Sequence, residues 1–82
     1  MNICFFSGTI ISDIEFKFII HSKNISIAYF DLQLQNSSII KAVAYNEMAD
    51  YCWSKLKKND FINIQGYLNK KIEVVVELII KI

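Results

Sequence analysis

Apolar residues recur at every second position along most of this chain, the spacing expected of strands with one buried face. Over residues 61–68 the even positions Ile62, Ile64 and Leu68 are apolar, and Phe61, Asn63, Gln65 and Tyr67 lie between them. Over residues 72–82, Val74, Val76, Leu78, Ile80 and Ile82 share one face, opposite Glu73, Glu77 and Lys81. Val75 and Ile79 sit among those charges, so this second face is half apolar and suits a contact between copies of the chain. Phe16, Phe18 and Ile20 alternate with Glu15, Lys17 and Ile19 in a further strand, and His21-Ser22-Lys23-Asn24 reads as the turn that ends it. The strand after that turn changes parity: Ile25, Ile27 and Tyr29 are odd, whereas Ala28, Phe30, Leu32 and Leu34 are even. A switch inside one strand predicts a bulge or strong bend near Ala28, the device by which a long strand serves both sides of a small barrel. Asn36-Ser37-Ser38 then supplies a short turn.

Helical spacing is confined to residues 46–59. Asn46 offers a capping side chain, Glu47 and Asp50 place acids in the first turn, and Lys55, Lys57 and Lys58 place cations in the last, as the helix dipole favours. Ala49, Cys52, Trp53 and Leu56 fall on one apolar stripe, with Met48 beside it. Trp53 is therefore expected in the core, although an indole also stacks well on nucleic-acid bases. Read in order, residues 3–11, 39–68 and 74–82 have the layout of a small closed β-barrel with one inserted helix.

The chain has 82 residues, enough for a single domain over 1–82 whose core is marginal for its surface. Hydrophobic residues make up 54%, with no Pro and two Gly, a composition that argues against a linker or disordered tail and for an ordered, strand-rich domain. Nine lysines and no arginine face eight acids, for a net charge of +1. Any phosphate binding must then come from where individual lysines sit and not from bulk charge. Cys4 and Cys52 form no paired framework and fit a reducing compartment as two small buried hydrophobes. No basic leader with a small-residue cleavage site opens the chain, and Glu77 and Lys81 interrupt its longest apolar runs. Neither a signal peptide nor a membrane span is expected, and the expected location is cytoplasmic.

The single histidine, His21, has no Cys or carboxylate at ligand spacing, so no metal site is expected. Gly8 and Gly66 are isolated and not part of a phosphate-cradling run, and no nucleophile elbow, paired-carboxylate motif or dinucleotide fingerprint is present. Catalysis, a cofactor and a small-molecule substrate are accordingly not expected. The positive signal is lysines interleaved with aromatics on strands. Lys41, Val43 and Tyr45 share one face, with Lys41 and Tyr45 about 13 Å apart by the strand rise, a span that suits a phosphate and a base one or two nucleotides along.

Nearly end to end, the chain resembles a shortened bacterial single-stranded DNA-binding protein of the OB-fold type. In ICFFSGTIISDIEFKF the residues Gly8, Asp13, Glu15, Lys17 and Phe18 match the opening of that family. IAYFDLQL resembles its second strand through Phe30, Asp31 and Leu32, and KAVAY its third through Lys41 and Tyr45. MADYCWSKLKKN resembles its helix through Ala49, Leu56, Lys57 and Lys58, with Asn59 where Gly is usual, a mild change because Asn tolerates the left-handed conformation. IQGYL carries the fourth-strand glycine at Gly66, and VVVELIIKI resembles the closing strand.

The resemblance implies an all-β, five-stranded OB barrel with one α-helix between strands three and four. It implies single-stranded DNA as partner, bound without sequence preference by lysine–phosphate contacts and base stacking, in replication, recombination or repair. By position it carries over Tyr45 as a stacking platform and Lys17, Phe18 and Lys41 as its basic or aromatic neighbours. Tyr67, Lys70 and Lys71 join them by face and location. The family's long loop between strands two and three is reduced to Asn36-Ser37-Ser38, the last hairpin to Asn69-Lys70-Lys71, and Ile39 replaces a strand-three aromatic. The acidic C-terminal tail of the family is expected to be lacking. These losses predict weak binding per protomer, offset by a homo-oligomer of two or four chains. They also leave a rival reading, an OB module for protein contact or assembly with little DNA surface.

Overall fold

The computed structural model describes residues 2–20 and 24–82. Along it run β1 (Cys4–Ile10), β2 (Glu15–Ile20), β3 (Asn24–Leu34), β4 (Ile39–Tyr45), α1 (Glu47–Lys55), β5 (Phe61–Leu68) and β6 (Val74–Lys81). Hydrogen bonding follows the order β1-β5-β6-β4-β3-β2. β1 also pairs with the end of β3, from Gly8↔Leu34 to Ile10↔Leu32, and this closes the sheet into a barrel. β1 and β2 are two arms of one strand bent at residues 11–14. The bend is tied to β3 through Asp31, whose N–H donates to Ser12 Oγ at 2.8 Å and whose carbonyl accepts from Ile11 N–H at 3.0 Å. Counted that way the barrel has five strands; in the numbering of segments the helix lies between β4 and β5, which are the third and fourth of the five. The predicted turn at His21, Ser22 and Lys23 lies outside the described residues.

Two glycines sit where backbones meet. A Cβ on Gly8 would lie 2.3 Å from the Gln33 carbonyl oxygen, where β1 crosses β3. One on Gly66 would lie 1.9 Å from that of Val75, where the β5–β6 register slips. Inside the barrel, Ile10, Phe30, Leu32, Ile62 and Val74 are fully or almost fully buried, and Ala49 and Cys52 of α1 plug one end.

The structure corrects four expectations. β3 has no bulge near Ala28. Its register with β2 and β4 is unbroken, and Ser26, Ala28, Phe30 and Leu32 all point inward. Ile25, Ile27 and Tyr29 therefore lie on the outer face, and what looked like a change of parity is an apolar outside.

The slip falls in β6 instead. Gln65 pairs with Leu78 and Gly66 with Val76, leaving Glu77 as an extra residue. Beyond it the faces exchange: Leu78, Ile80 and Ile82 are exposed, Ile79 packs on the core, and Val75 is covered between Val43 and Tyr67. The outward apolar surface of this strand is thus Leu78 and Ile80, not Val75 and Ile79.

Trp53 is not in the core. The helix stops at Lys55, Leu56 is already extended, and the buried arc of α1 is Ala49 and Cys52 with Met48 and Tyr51 packed beside them. That arc turns Trp53 to the side, where it is 57% exposed. Finally, the Asn46 side chain makes no capping bond; the residue takes φ 54° and its backbone N–H donates to the Ser26 carbonyl.

Candidate nucleic-acid interface

The unbroken register of β3 lines up side chains on the outer face of the barrel in rows across the strands. One row runs Lys17, Ile27, Tyr45 over β2, β3 and β4. The next runs Glu15, Tyr29, Val43, Val75, Tyr67 over β2, β3, β4, β6 and β5. At about 4.8 Å per strand, Tyr29 and Tyr67 stand roughly 14 Å apart with two valines between them.

Tyr29 is the hub of this face. Lys17 and Lys41 approach it diagonally from β2 and β4, with their ammonium groups 5.5 and 5.8 Å from the ring centroid. Contacts of that kind hold a flexible lysine in place at little desolvation cost. A shallow groove of about 300 Å³ opens here, with Ile19, Ile27 and Val43 contributing an apolar lining and Tyr45 a ring that is 41% exposed.

Lys71 enters the same groove from the β5–β6 hairpin. Asn69 sets the shape of that hairpin: its Oδ1 accepts from the Lys71 N–H at 2.9 Å and the Glu73 N–H at 3.0 Å, and its Nδ2 donates to Glu73 Oε1. Ile72 is left at φ 61°, a strained position for a β-branched residue, and is exposed at the tip. Glu73 lines the groove as well, Asp31 stands opposite Lys41 and Glu15 opposite Tyr29, so acids temper the positive field.

Of the residues singled out from sequence, Lys17, Lys41, Tyr45 and Lys71 meet in one groove. Tyr67 shares their face three strands from Tyr29. Lys70 is exposed at the hairpin but does not line the groove, and Phe18, paired with Ser26, points to the opposite side of β2. Tyr29 was missed. Its odd parity with Ile25 and Ile27 is the signal in the sequence that marks it as outward-facing.

A larger cleft, about 390 Å³, lies on the outer face of β1, β5 and β6 between Phe5, Leu78 and Ile80. Its lining holds no lysine, whereas Lys17, Lys41 and Lys71 line the smaller groove. Asp60 ties the barrel end near it: partial desolvation pushes its carboxyl up, but the Lys57 N–H and the Lys81 ammonium, 3.4 Å away, outweigh this and hold it below the usual range.

The fold as a whole has counterparts among solved structures. The SSB domain of a Synechococcus sp. protein superposes with TM-score 0.85 at 19% identity, over 96% of this chain and 93% of that one. The chain has the fold of the single-stranded DNA-binding proteins. The wild-type single-stranded DNA binding protein of Thermus aquaticus gives TM-score 0.86 at 16% identity, over all of this chain and 40% of that one. A deletion mutant of the same protein gives 0.87 over 41% of its chain. No family model matches the sequence and no curated protein is similar to it, so the likeness is one of fold. No described helix is long and apolar enough to cross a membrane.

Proposed function

We propose that this chain binds single-stranded DNA without sequence preference and without catalysis, as a subunit of a homo-oligomer serving DNA replication, recombination or repair in the cytoplasm. The observation that carries this reading is the pairing of Lys17 and Lys41 over Tyr29, beside Tyr45 and Lys71, on one face of an OB barrel. Lysines 17, 41 and 71 neutralise phosphates, and Tyr45 and Tyr67 take bases on their rings. Tyr29 acts as a positioning residue that holds two ammonium groups where the backbone of the strand passes. The apolar lining from Ile27 and Val43 presents no donors or acceptors to base edges, which gives little sequence preference. Lys70 adds charge where the strand leaves the groove. Because each groove is shallow and its net charge small, affinity depends on several protomers engaging one strand. The outer face of β1, β5 and β6, with Phe5, Leu78 and Ile80 exposed, is the surface on which copies meet.

Titration of labelled oligo-dT at low and moderate salt tests the proposal. Measurable binding that weakens with salt supports it. Absence of binding even at about 20 mM salt, where charges are least screened, would leave the protein-contact module, the reading that the apolar cleft beside Phe5 favours.

A further inference from the structure

Trp53 and Phe18 are used by neither the core nor the groove, yet both rings are more than half exposed, at 57% and 54%. The Trp53 indole is not loose. Phe16, which packs against the core, covers one of its faces at a centroid distance of 5.4 Å and an interplanar angle of 35°. Phe18 follows two residues along β2 on the same side, about 7 Å away by the strand rise. Lys17 lies between them in sequence and points the other way, its ammonium over Tyr29 in the groove.

β2 ends the sheet order, so among the described residues nothing pairs with its outer edge. Alternate N–H groups of such an edge point outward and can donate to phosphate oxygens. A strand held at Lys17 therefore has stacking rings on both sides of a single β-strand, with an unpaired edge between.

We infer that Trp53, seated on Phe16, and Phe18 form a second stacking subsite for single-stranded nucleic acid, reached when the strand passes from the lysine groove over the free edge of β2. The inference rests on the single-strand reading above. The cross-strand neighbour of Phe18 is Ser26 and that of Ile20 is Asn24. With Ser26 buried, the exposed surface is two aromatic rings and Ile20 along one side of a single strand, a narrow row that suits flat bases taken one at a time better than the broad apolar face of a protein partner. Asp50 lies one helical turn from Trp53 and opposes phosphate there, so stacking and not charge carries this subsite.

Trp53 is the chain's one tryptophan, so indole emission of the unmodified protein reports this subsite alone. Anisotropy of an end-labelled oligo-dT reports binding independently. The expected result is quenching of Trp53 by long oligo-dT, and binding without quenching by oligomers too short to leave the groove. Trp53→Ala should weaken long oligo-dT roughly tenfold or more without altering the salt slope, leave short oligomers unaffected, and be largely rescued by Trp53→Phe. Should Trp53→Ala fold poorly, Phe18→Ser provides the same comparison. Long oligo-dT that binds with unchanged indole emission and equal affinity for Trp53→Ala overturns the subsite alone. So does a fall in assembly mass of Trp53→Ala with DNA affinity intact, which gives this face to a second copy. No binding by the wild type at low salt overturns the subsite together with the single-strand reading.

Discussion

Lys41→Ala removes one cation from a groove that holds three, Lys17, Lys41 and Lys71, and the size of its effect follows from counterion release. With one phosphate at each lysine, the association constant falls with salt at a log–log slope of about −2, taking roughly −0.7 per phosphate on a single strand. A tenfold rise in salt then weakens the wild type about 100-fold, and Lys41→Ala, with a slope near −1.4, about 25-fold. Asp31 stands opposite Lys41 and already offsets part of its charge, so the slope should change by somewhat less than one full contact. Tyr45→Ala behaves differently: losing a stacked base costs roughly 1 to 3 kcal/mol at every salt concentration, displacing the line without tilting it. Anisotropy of labelled oligo-dT over a salt series measures both quantities, and circular dichroism confirms that each variant is folded. Lys41 is exposed, so its removal should leave melting unchanged; because it also covers the Tyr29 ring, Lys41→Gln serves as the variant that keeps a long side chain. Lys41 variants with the wild-type slope, whatever their affinity, would refute the assignment of a phosphate to Lys41.

Three further outcomes are expected. Gly66→Ala should lower stability by about 1 to 3 kcal/mol in urea denaturation, since its Cβ would meet the Val75 carbonyl and backbone yields poorly; a variant with the wild-type midpoint would mean that the β5–β6 slip is not as tight as described. Light scattering at tens of micromolar should give a dimer or larger for the wild type and a lower mass for Ile80→Lys, while a monomeric wild type would remove the avidity argument. Burial pushes the Cys52 thiol from its ordinary 9.0 up to about 12, so the folded state favours the neutral form. The stability this contributes is complete below pH 9.0 and is lost as pH rises from there towards about 12. Urea midpoints across that window should fall more steeply for the wild type than for Cys52→Ala, and equal slopes would place Cys52 in contact with water.

The strands and helix of this protein were legible in its sequence because period-two alternation is a local property: each of Phe16, Ile62 and Val74 announces a face without reference to any other segment. The barrel layout followed from the order of those segments, the notion of a lysine–aromatic face from Lys41 and Tyr45 on one strand, and Gly8, Gly66 and Lys17 from the family resemblance. What only the tertiary structure decided was which residues stand beside one another. Tyr29 became the centre of the groove because pairing across β2, β3 and β4 puts Lys17 and Lys41 on its two diagonals. A slip of one residue at Glu77 exchanged Ile79 for Leu78 and Ile80 on the outside, since a single extra residue inverts every side chain beyond it. Trp53 moved from the expected core to the surface because α1 ends after nine residues, and the roll of so short a helix is set by the barrel end it covers and not by its own stripe.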